Sequence, residues 1–321
     1  MTSSASPSPR LVLTALIAVQ ILFGINYVVS KIVVGVFPPL VWASLRIIIS
    51  SSCMVAFALL SGRKHPKVGF SFFGPMVVFA LLGTVINQAS FLVGLKYTTS
   101  TNSAILNTLI PIFTLLIVTI RGQEPATPAR IWGFVFAFTG VLVIRKVEEL
   151  TLSNTTLLGD LLTILNCLSY GFFLSYSKKF LEKYDPVWTT TWLFIYGSIG
   201  LTVLALPDWM GFHWPEMTPK LWMAAVYAIF GATLATYFLN FWALAHAKSS
   251  HVALFIYLQP VVASLIAWIW FGESVTLRTV LASMLIFMGL LLGLSKKIKM
   301  GDFFLLQPFK RLRDFRSKAR S

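Results

Sequence analysis

Acidic residues are scarce in this chain. Of 321 residues only 11 are Asp or Glu against 26 Lys or Arg, charged residues make up 12% of the total, and the formal net charge is +15 at neutral pH. None of the eleven acids falls at the centre of an apolar run. That removes the buried carboxylate that proton-coupled carriers commonly use, and points to facilitated movement, exchange, or coupling through another group. Cysteine is nearly absent: Cys53 and Cys167 both lie inside apolar runs, so neither a disulfide framework nor a thiolate metal site is indicated. The histidines, His65, His213, His246 and His251, lie in or beside loops without metal-ligand spacing. No nucleophile elbow, His-Glu metal motif or acidic metal-binding pair occurs, and Gly197-Ser198-Ile199-Gly200 lacks the elbow spacing. No metal and no cofactor is expected, and a multispan membrane enzyme becomes a competing class and not the leading one.

Where charge is missing, apolar residues fill the chain. It is 57% hydrophobic with a mean hydropathy of +0.80, outside the range of ordinary soluble domains. Ten apolar runs occur at approximately 11–31, 39–60, 72–95, 99–120, 129–146, 157–177, 188–206, 220–243, 250–271 and 276–295. Each is close to the roughly 20 residues that cross about 30 Å of hydrocarbon at 1.5 Å per residue. They read as helices, because lipid leaves no partner for an unpaired backbone N–H and the polarity alternation of barrel strands is absent. The first run follows Met1–Arg10, continues past the length of a signal-peptide core and reaches Asn26-Tyr27 without a small-residue cleavage site, so it is expected to remain as the first helix.

The chain repeats itself. Leu95 and Leu244, Ala104 and Ala253, Pro111 and Pro260, Glu124 and Glu273, and Gly140 and Gly289 all differ by 149, while Gly24 and Gly171, Lys31 and Lys178, and Pro39 and Pro186 differ by 147. Five runs fall in each half, so the second half enters the membrane from the opposite side and the repeat is inverted. The expected architecture is an all-α integral membrane protein of ten transmembrane helices in two inverted five-helix repeats. A cytoplasmic amino terminus occupies 1–10, the repeats 11–146 and 157–295, and a basic tail 296–321. Inverted repeats are a common construction of carriers that alternate access to a site between their halves.

Lys and Arg in the loops orient the chain. With the amino terminus cytoplasmic, 19 basic residues lie inside, six outside, and Arg46 within a span. Both termini are expected in the cytoplasm, in a bacterial inner or plasma membrane. In the tail, Phe309, Leu312 and Phe315 recur among Lys310, Arg311, Arg313 and Arg316, the pattern of a basic amphipathic helix lying on an anionic inner leaflet. A nucleic-acid arm is the alternative, but no nucleic-acid motif accompanies it and no nucleic acid is expected as a partner. Asn154-Thr155-Thr156 forms a glycosylation sequon that matters only in a eukaryotic cell. Whether the protein is a monomer or a dimer stays open.

Uncharged polar side chains recur at helical spacing, as a cavity between helices requires. Gln20, Phe23, Tyr27 and Ser30 share one face of the first run, with Asn26 adjacent; Asn87, Gln88 and Phe91 group on the third; Ser103, Asn107, Pro111 and Thr114 run down the fourth. In the second half the stripes are Asn166, Tyr170, Phe173 and Ser177; Trp192 and Tyr196; Thr233, Tyr237 and Asn240; and Tyr257, Pro260 and Ser264. Substrate-binding candidates from these stripes are Asn26, Tyr27, Asn87, Gln88, Ser103, Asn107, Asn166, Tyr170, Trp192, Tyr196, Tyr237, Asn240 and Tyr257. Any one of them read alone is a residue bonding between helices. Pro111 and Pro260 each remove a backbone hydrogen bond in matching runs, as hinges or as static kinks. Arg46 lies seven residues past Pro39, about 10 Å from the helix end, and has two readings. One is a snorkelled residue paired with Asp160; the other is the site of an anionic substrate group.

These residues resemble the drug/metabolite transporter superfamily in its EamA-type ten-helix form. The likeness runs from about Leu11 to Ser295 and rests on Pro39 to Arg46, Gly94-Leu95-Lys96-Tyr97-Thr98 followed by Asn102-Ser103-Ala104, Pro111, Glu124, Gly133 to Gly140, and their second-half echoes. Gly94–Pro111 also looks like the related plant metabolite facilitators. The resemblance implies a cavity between the halves and transport of small metabolites. The chain departs from the phosphate-ester branch, which uses basic residues within late helices, and from the four-helix multidrug relatives, which use an embedded Glu. Neutral or zwitterionic metabolites, amino acids first, are therefore the expected small-molecule substrate, exported or facilitated by alternating access; another metabolite or drug class of the same superfamily is the alternative, and a passive channel is the other rival.

Overall fold

In the computed structural model, the chain is described at residues 7–62, 69–98, 103, 106–125, 127–144, 157–262, 265 and 277–294. The tail 296–321, the 154–156 sequon, Ser264 and Glu273 lie outside the described residues. Every regular element among the described residues is helical. In chain order these are α1 (Pro9–Val34), α2 (Pro39–Leu60), α3 (Phe70–Ala80), a π-helical segment (Leu81–Ile86), α4 (Asn87–Tyr97), α5 (Leu109–Ile120), α6 (Pro128–Ile144), α7 (Leu157–Leu181) and α8 (Pro186–Trp209). There follow α9 (Pro219–Val226), a second π-helical segment (Tyr227–Ala235), α10 (Thr236–His246), α11 (Ser249–Leu254), a 3-10 turn (Phe255–Tyr257) and α12 (Leu277–Leu294).

Among the described residues six continuous helices are long and apolar enough to cross a membrane: Pro9–Val34, Pro39–Leu60, Ser71–Tyr97, Leu157–Leu181, Pro186–Trp209 and Pro219–His246. Shorter apolar helices occupy Leu109–Ile120, Pro128–Val143, Ser249–Val262 and Val280–Leu294. Large apolar side chains such as Leu60, Ile120, Met210 and Leu277 face outward, while Ser30, Thr84, Thr163, Thr189 and Thr236 are buried. A soluble protein distributes them the other way round; here the exterior is matched to lipid, and inside Thr163, Thr189 and Thr236 donate to backbone carbonyls while Ser30 donates to Asn26 Oδ1. Helix starts follow from local chemistry. Ser8 Oγ accepts from Leu11 N at 3.3 Å ahead of Pro9, and the Asp185 carboxylate accepts from Val187 N at 2.9 Å and Trp188 N at 3.2 Å ahead of Pro186. Gly62 and Gly122, at φ 63° and 62°, end α2 and α5 in the left-handed conformation that glycine adopts without steric cost.

The runs at 72–95 and 220–243 are not uniform α-helices. Each contains a π-helical segment, and the offset of 149 carries Leu81–Ile86 onto the last six residues of Tyr227–Ala235. In the second segment Thr233 Oγ1 donates to Ala228 O and Thr236 Oγ1 to Gly231 O, each at 2.7 Å and five residues back, occupying the carbonyls that the wider turn releases. The run 99–120 is also interrupted: residues 106–107 are helical, Thr108 is a turn, and α5 begins at Leu109.

Contacts follow the repeat as well. Lys31 Nζ lies 3.4 Å from Leu95 O, and its mate Lys178 lies 3.3 Å from the matching Leu244 O. Gln88 and Tyr237 are mates at offset 149 and bond directly to each other. In α6 and α12 the same offset carries Gly133 to Ala282 and Gly140 to Gly289. A Cβ on Gly140 would lie 2.7 Å from Ala282 O, and one on Gly289 would lie 2.6 Å from Gly133 O. Contact i to j′ paired with j to i′ is what a two-fold axis produces. Because 133 meets 289 while 140 meets 282, α6 and α12 are antiparallel, so that axis crosses the helices at a right angle.

Candidate functional site

A cavity opens where α1, α2, α4, α5, α7, α10 and α11 converge. Six pairs of its lining residues are mates in the repeat: Phe23 with Tyr170, Tyr27 with Leu174, Gln88 with Tyr237, Phe91 with Asn240, Asn107 with Ile256, and Ile110 with Gln259. The cavity therefore sits on the two-fold axis. In every pair but Gln88 and Tyr237 a hydrogen-bonding side chain faces an apolar mate, so a symmetric frame carries an asymmetric lining.

Two polar networks and one polar pair cover the wall. In the larger network Arg46 donates from its guanidinium to Gln88 Oε1, and Gln88 Nε2 donates to Tyr237 Oη and, at 3.4 Å, to Asn87 Oδ1. Asn87 Nδ2 donates to Asn166 Oδ1, Asn166 Nδ2 to Asn107 Oδ1 at 2.7 Å, and Asn107 Nδ2 to Ser103 Oγ at 3.5 Å. In the second, Tyr27 Oη donates to Gln259 Oε1 at 3.1 Å and Gln259 Nε2 to Gln20 Oε1 at 2.8 Å. Asn240 Nδ2 donates to Tyr170 Oη at 2.6 Å. Phe91 stands edge-on to Tyr27 with ring centroids 5.9 Å apart. Arg46 is the sole charged residue of the lining.

Of the sequence candidates, Asn26, Tyr27, Arg46, Asn87, Gln88, Asn107, Asn166, Tyr170, Tyr237 and Asn240 line the cavity. The snorkelled reading of Arg46 is corrected. Arg46 is 2% exposed and turned inward to Gln88, while Asp160 accepts from Thr98 Oγ1 at 2.5 Å. The α2 face carrying Arg46 packs against α4, not toward the end of α7, so the two side chains go to different partners.

Four candidates stand outside the lining. Ser103 is a neighbour of Asn107 and reaches the site only through it. Trp192 and Tyr196 are 5.7 Å apart between ring centroids, and Trp192 stands edge-on to Phe73 at 4.9 Å. Their helix α8 packs on α2 and α3, which takes that face away from the axis. Tyr257 lies in the 3-10 turn, is fully buried and stands edge-on to Phe134 at 6.2 Å. Val252, Ile256 and Gln259, at the i, i+4, i+7 spacing of one helix face, line the cavity instead. Gln259 was missed although a glutamine three residues past Ile256 in an apolar run marks that face; Ile110, Ala232 and Val252 carried no chemical signal.

Pro111 and Pro260 also stand outside the lining, yet each acts on it. A proline ring displaces the carbonyl four residues back, which belongs to Asn107 and Ile256, both lining residues. Thr108 and the 3-10 turn ending at Tyr257 are the resulting breaks, and they too are mates at offset 149. Away from the cavity, Glu124 joins the halves at one end of the bundle. Its carboxylate accepts from Ser250 N at 3.3 Å and from Ser250 Oγ, and pairs with Arg130 at 3.2 Å.

Comparison with known proteins agrees with this architecture. The profile of the EamA-like transporter family matches residues 10–146 and again 157–295. An uncharacterized transporter of Archaeoglobus fulgidus is 27% identical, over 85% of this chain and 93% of its own length. YyaM, an uncharacterized transporter of Bacillus subtilis, is 24% identical over 86% and 91%. A WAT1-related protein of Arabidopsis thaliana is 23% identical over 89% and 84%. One solved crystal structure shares the fold with a TM-score of 0.72 at 15% identity, covering 88% of this chain and 95% of that one. Two matched segments that span most of a chain of lipid-facing helices make this a multi-pass integral membrane protein and a transporter, not an enzyme: the chain belongs to the EamA-like transporter family.

Proposed function

We propose that the protein carries small neutral or zwitterionic metabolites, amino acids first, by alternating access through the cavity on its two-fold axis, as an exporter or facilitator. The observation that carries this is the lining itself. Six mated pairs surround one cavity, so exchange of conformation between the halves would move the opening from one side of the membrane to the other while the site stays in place. The lining mixes aromatic rings with amide and hydroxyl groups and one cation, chemistry suited to a small polar molecule and not to a long lipid chain or a bare ion. The helix breaks before Pro111 and Pro260 supply the moving part, and the Glu124 contact to Ser250 is a closure between halves that opening at that end must break. We place both termini in the cytoplasm on the distribution of Lys and Arg, with ten spans in all.

Counterflow in proteoliposomes tests this reading. Vesicles loaded with an unlabelled amino acid should take up the labelled compound transiently and saturably. A channel gives no trans-stimulation and an enzyme alters the compound; either outcome refutes the proposal.

A further inference from the structure

The wall of the cavity has a polarity that transport of small polar molecules does not by itself require. Gln88, Asn87, Asn166 and Asn107 are joined head to tail, each side-chain oxygen accepting from the donor before it, with the Arg46 guanidinium at the head of the chain. All four amide oxygens thereby accept inside the protein, those of Asn87 and Asn107 twice and those of Gln88 and Asn166 once. The donors are not. A guanidinium has five N–H groups and a side-chain amide two. Arg46 uses one of its five, and Asn87, Asn166 and Asn107 each use one of two. This side of the cavity therefore has more unused N–H groups than unused oxygen lone pairs to offer an incoming molecule.

Arg46 also lacks an anion. It is 2% exposed, no acidic residue lines the cavity, and among the described residues no carboxylate lies within 4.0 Å of its guanidinium. A cation buried against a neutral amide is costly unless something supplies the opposite charge. The planar fork of a guanidinium matches the two oxygens of a carboxylate, and a single positive charge balances one carboxylate but not a doubly charged phosphate ester.

We propose that Arg46, with the unused N–H groups of Asn87, Asn166 and Asn107, is a carboxylate-binding subsite, and that a carboxylate is the feature by which this carrier selects its substrate. The inference rests on the transport reading above, keeps its zwitterions, drops its neutral metabolites and adds plain carboxylic acids. Amino acids and plain carboxylic acids share the recognised group; amines and neutral polar molecules lack it. Selection by size and side chain is left to the apolar part of the lining, Phe23, Phe91 and Ile256 among it.

Thermal unfolding of the purified full-length protein is measured with the twenty standard amino acids, the amines left by removing their carboxylates, and the acids left by removing their amino groups, since a ligand of the folded state raises its stability. At least one amino acid or plain acid should stabilise the protein, and the corresponding amine should not; comparing the amino acids with the plain acids identifies the source of the carboxylate. Arg46→Gln should weaken that ligand by at least tenfold. Arg46→Lys, which keeps the charge and loses the fork, should fall between the two, and a cooperative unliganded transition of Arg46→Gln shows that its loss is not a folding failure. Stabilisation by amines that survives Arg46→Gln would overturn the carboxylate subsite and leave the transport reading standing. Carboxylate binding equal in wild type and Arg46→Gln would overturn it too. No stabilisation by any compound, together with no counterflow, would overturn both.

Discussion

Glycine is the only residue that fits at the crossing of α6 and α12, and replacing it offers a direct measure of how the halves are held together. A Cβ on Gly133 would lie 2.4 Å from Gly293 N, 2.5 Å from Gly293 Cα and 2.8 Å from Gly289 O. All three are backbone atoms, so no rotamer change relieves the clash; ordinary contact begins near 3.4 Å, and the helices must part by 3.4 − 2.4, or 1.0 Å. A gap of that size forfeits a quarter to a half of the dispersion attraction along the crossing. Overpacking of this kind costs about 1–3 kcal/mol. Gly133→Ala should therefore lower the thermal midpoint of the protein in detergent by several degrees, at ~2–4 °C per kcal/mol. Gly289→Ala should do the same, since its Cβ would lie 2.4 Å from Ala137 N and 2.6 Å from Gly133 O. Once one substitution has parted the helices the second meets less resistance, so the double variant should lose less than the sum. Gly69→Ala, with nothing within 4 Å of the added carbon, is the control. A Gly133→Ala midpoint equal to that of Gly69→Ala, or full additivity in the pair, would refute the reciprocal antiparallel packing.

Three further outcomes follow from the geometry. Glu124→Ala leaves Arg130, with a side chain 6% exposed, beside no carboxylate, removes the acceptor for Ser250 and should destabilise by about 3–5 kcal/mol, whereas Glu124→Gln keeps a neutral acceptor for Ser250 and Arg130 and should cost clearly less; equal losses by urea titration would show that the Ser250 contact does not help join the halves. Tyr257→Phe removes a buried hydroxyl that has no hydrogen-bond partner and should raise stability by about 1 kcal/mol with counterflow unchanged, while a loss of transport would return Tyr257 to the substrate wall. Pro111→Ala and Pro260→Ala each restore an N–H to the helix and should slow counterflow while keeping or raising the thermal midpoint; variants with normal turnover would make the two breaks static kinks.

Much of the architecture was legible because lipid imposes a simple rule. A run of some twenty apolar residues has to be a helix, so the spans could be read without tertiary information. The offsets of 147 and 149 also marked Pro111 with Pro260 and Lys31 with Lys178 before any contact was known. Helical periodicity was enough to bring Asn87, Asn107, Asn166 and Asn240 to one cavity. It does not choose between two faces of one run: Tyr257 and Pro260 share one, Val252, Ile256 and Gln259 share the next at i, i+4, i+7, and packing turns the second to the cavity.

The sequence by itself determined that this chain lives in a membrane, that it is duplicated, and that its polar residues lie in stripes, since each of these depends only on composition and spacing along one strand of backbone. Only the tertiary structure decided where the single embedded charge goes. Arg46 could reach outward to the headgroups or inward to the axis from the same position in the sequence, and the packing of α2 on α4 placed Gln88, not Asp160, beside it. Partners in space are set by which helix faces meet, and spacing along the chain carries no record of that.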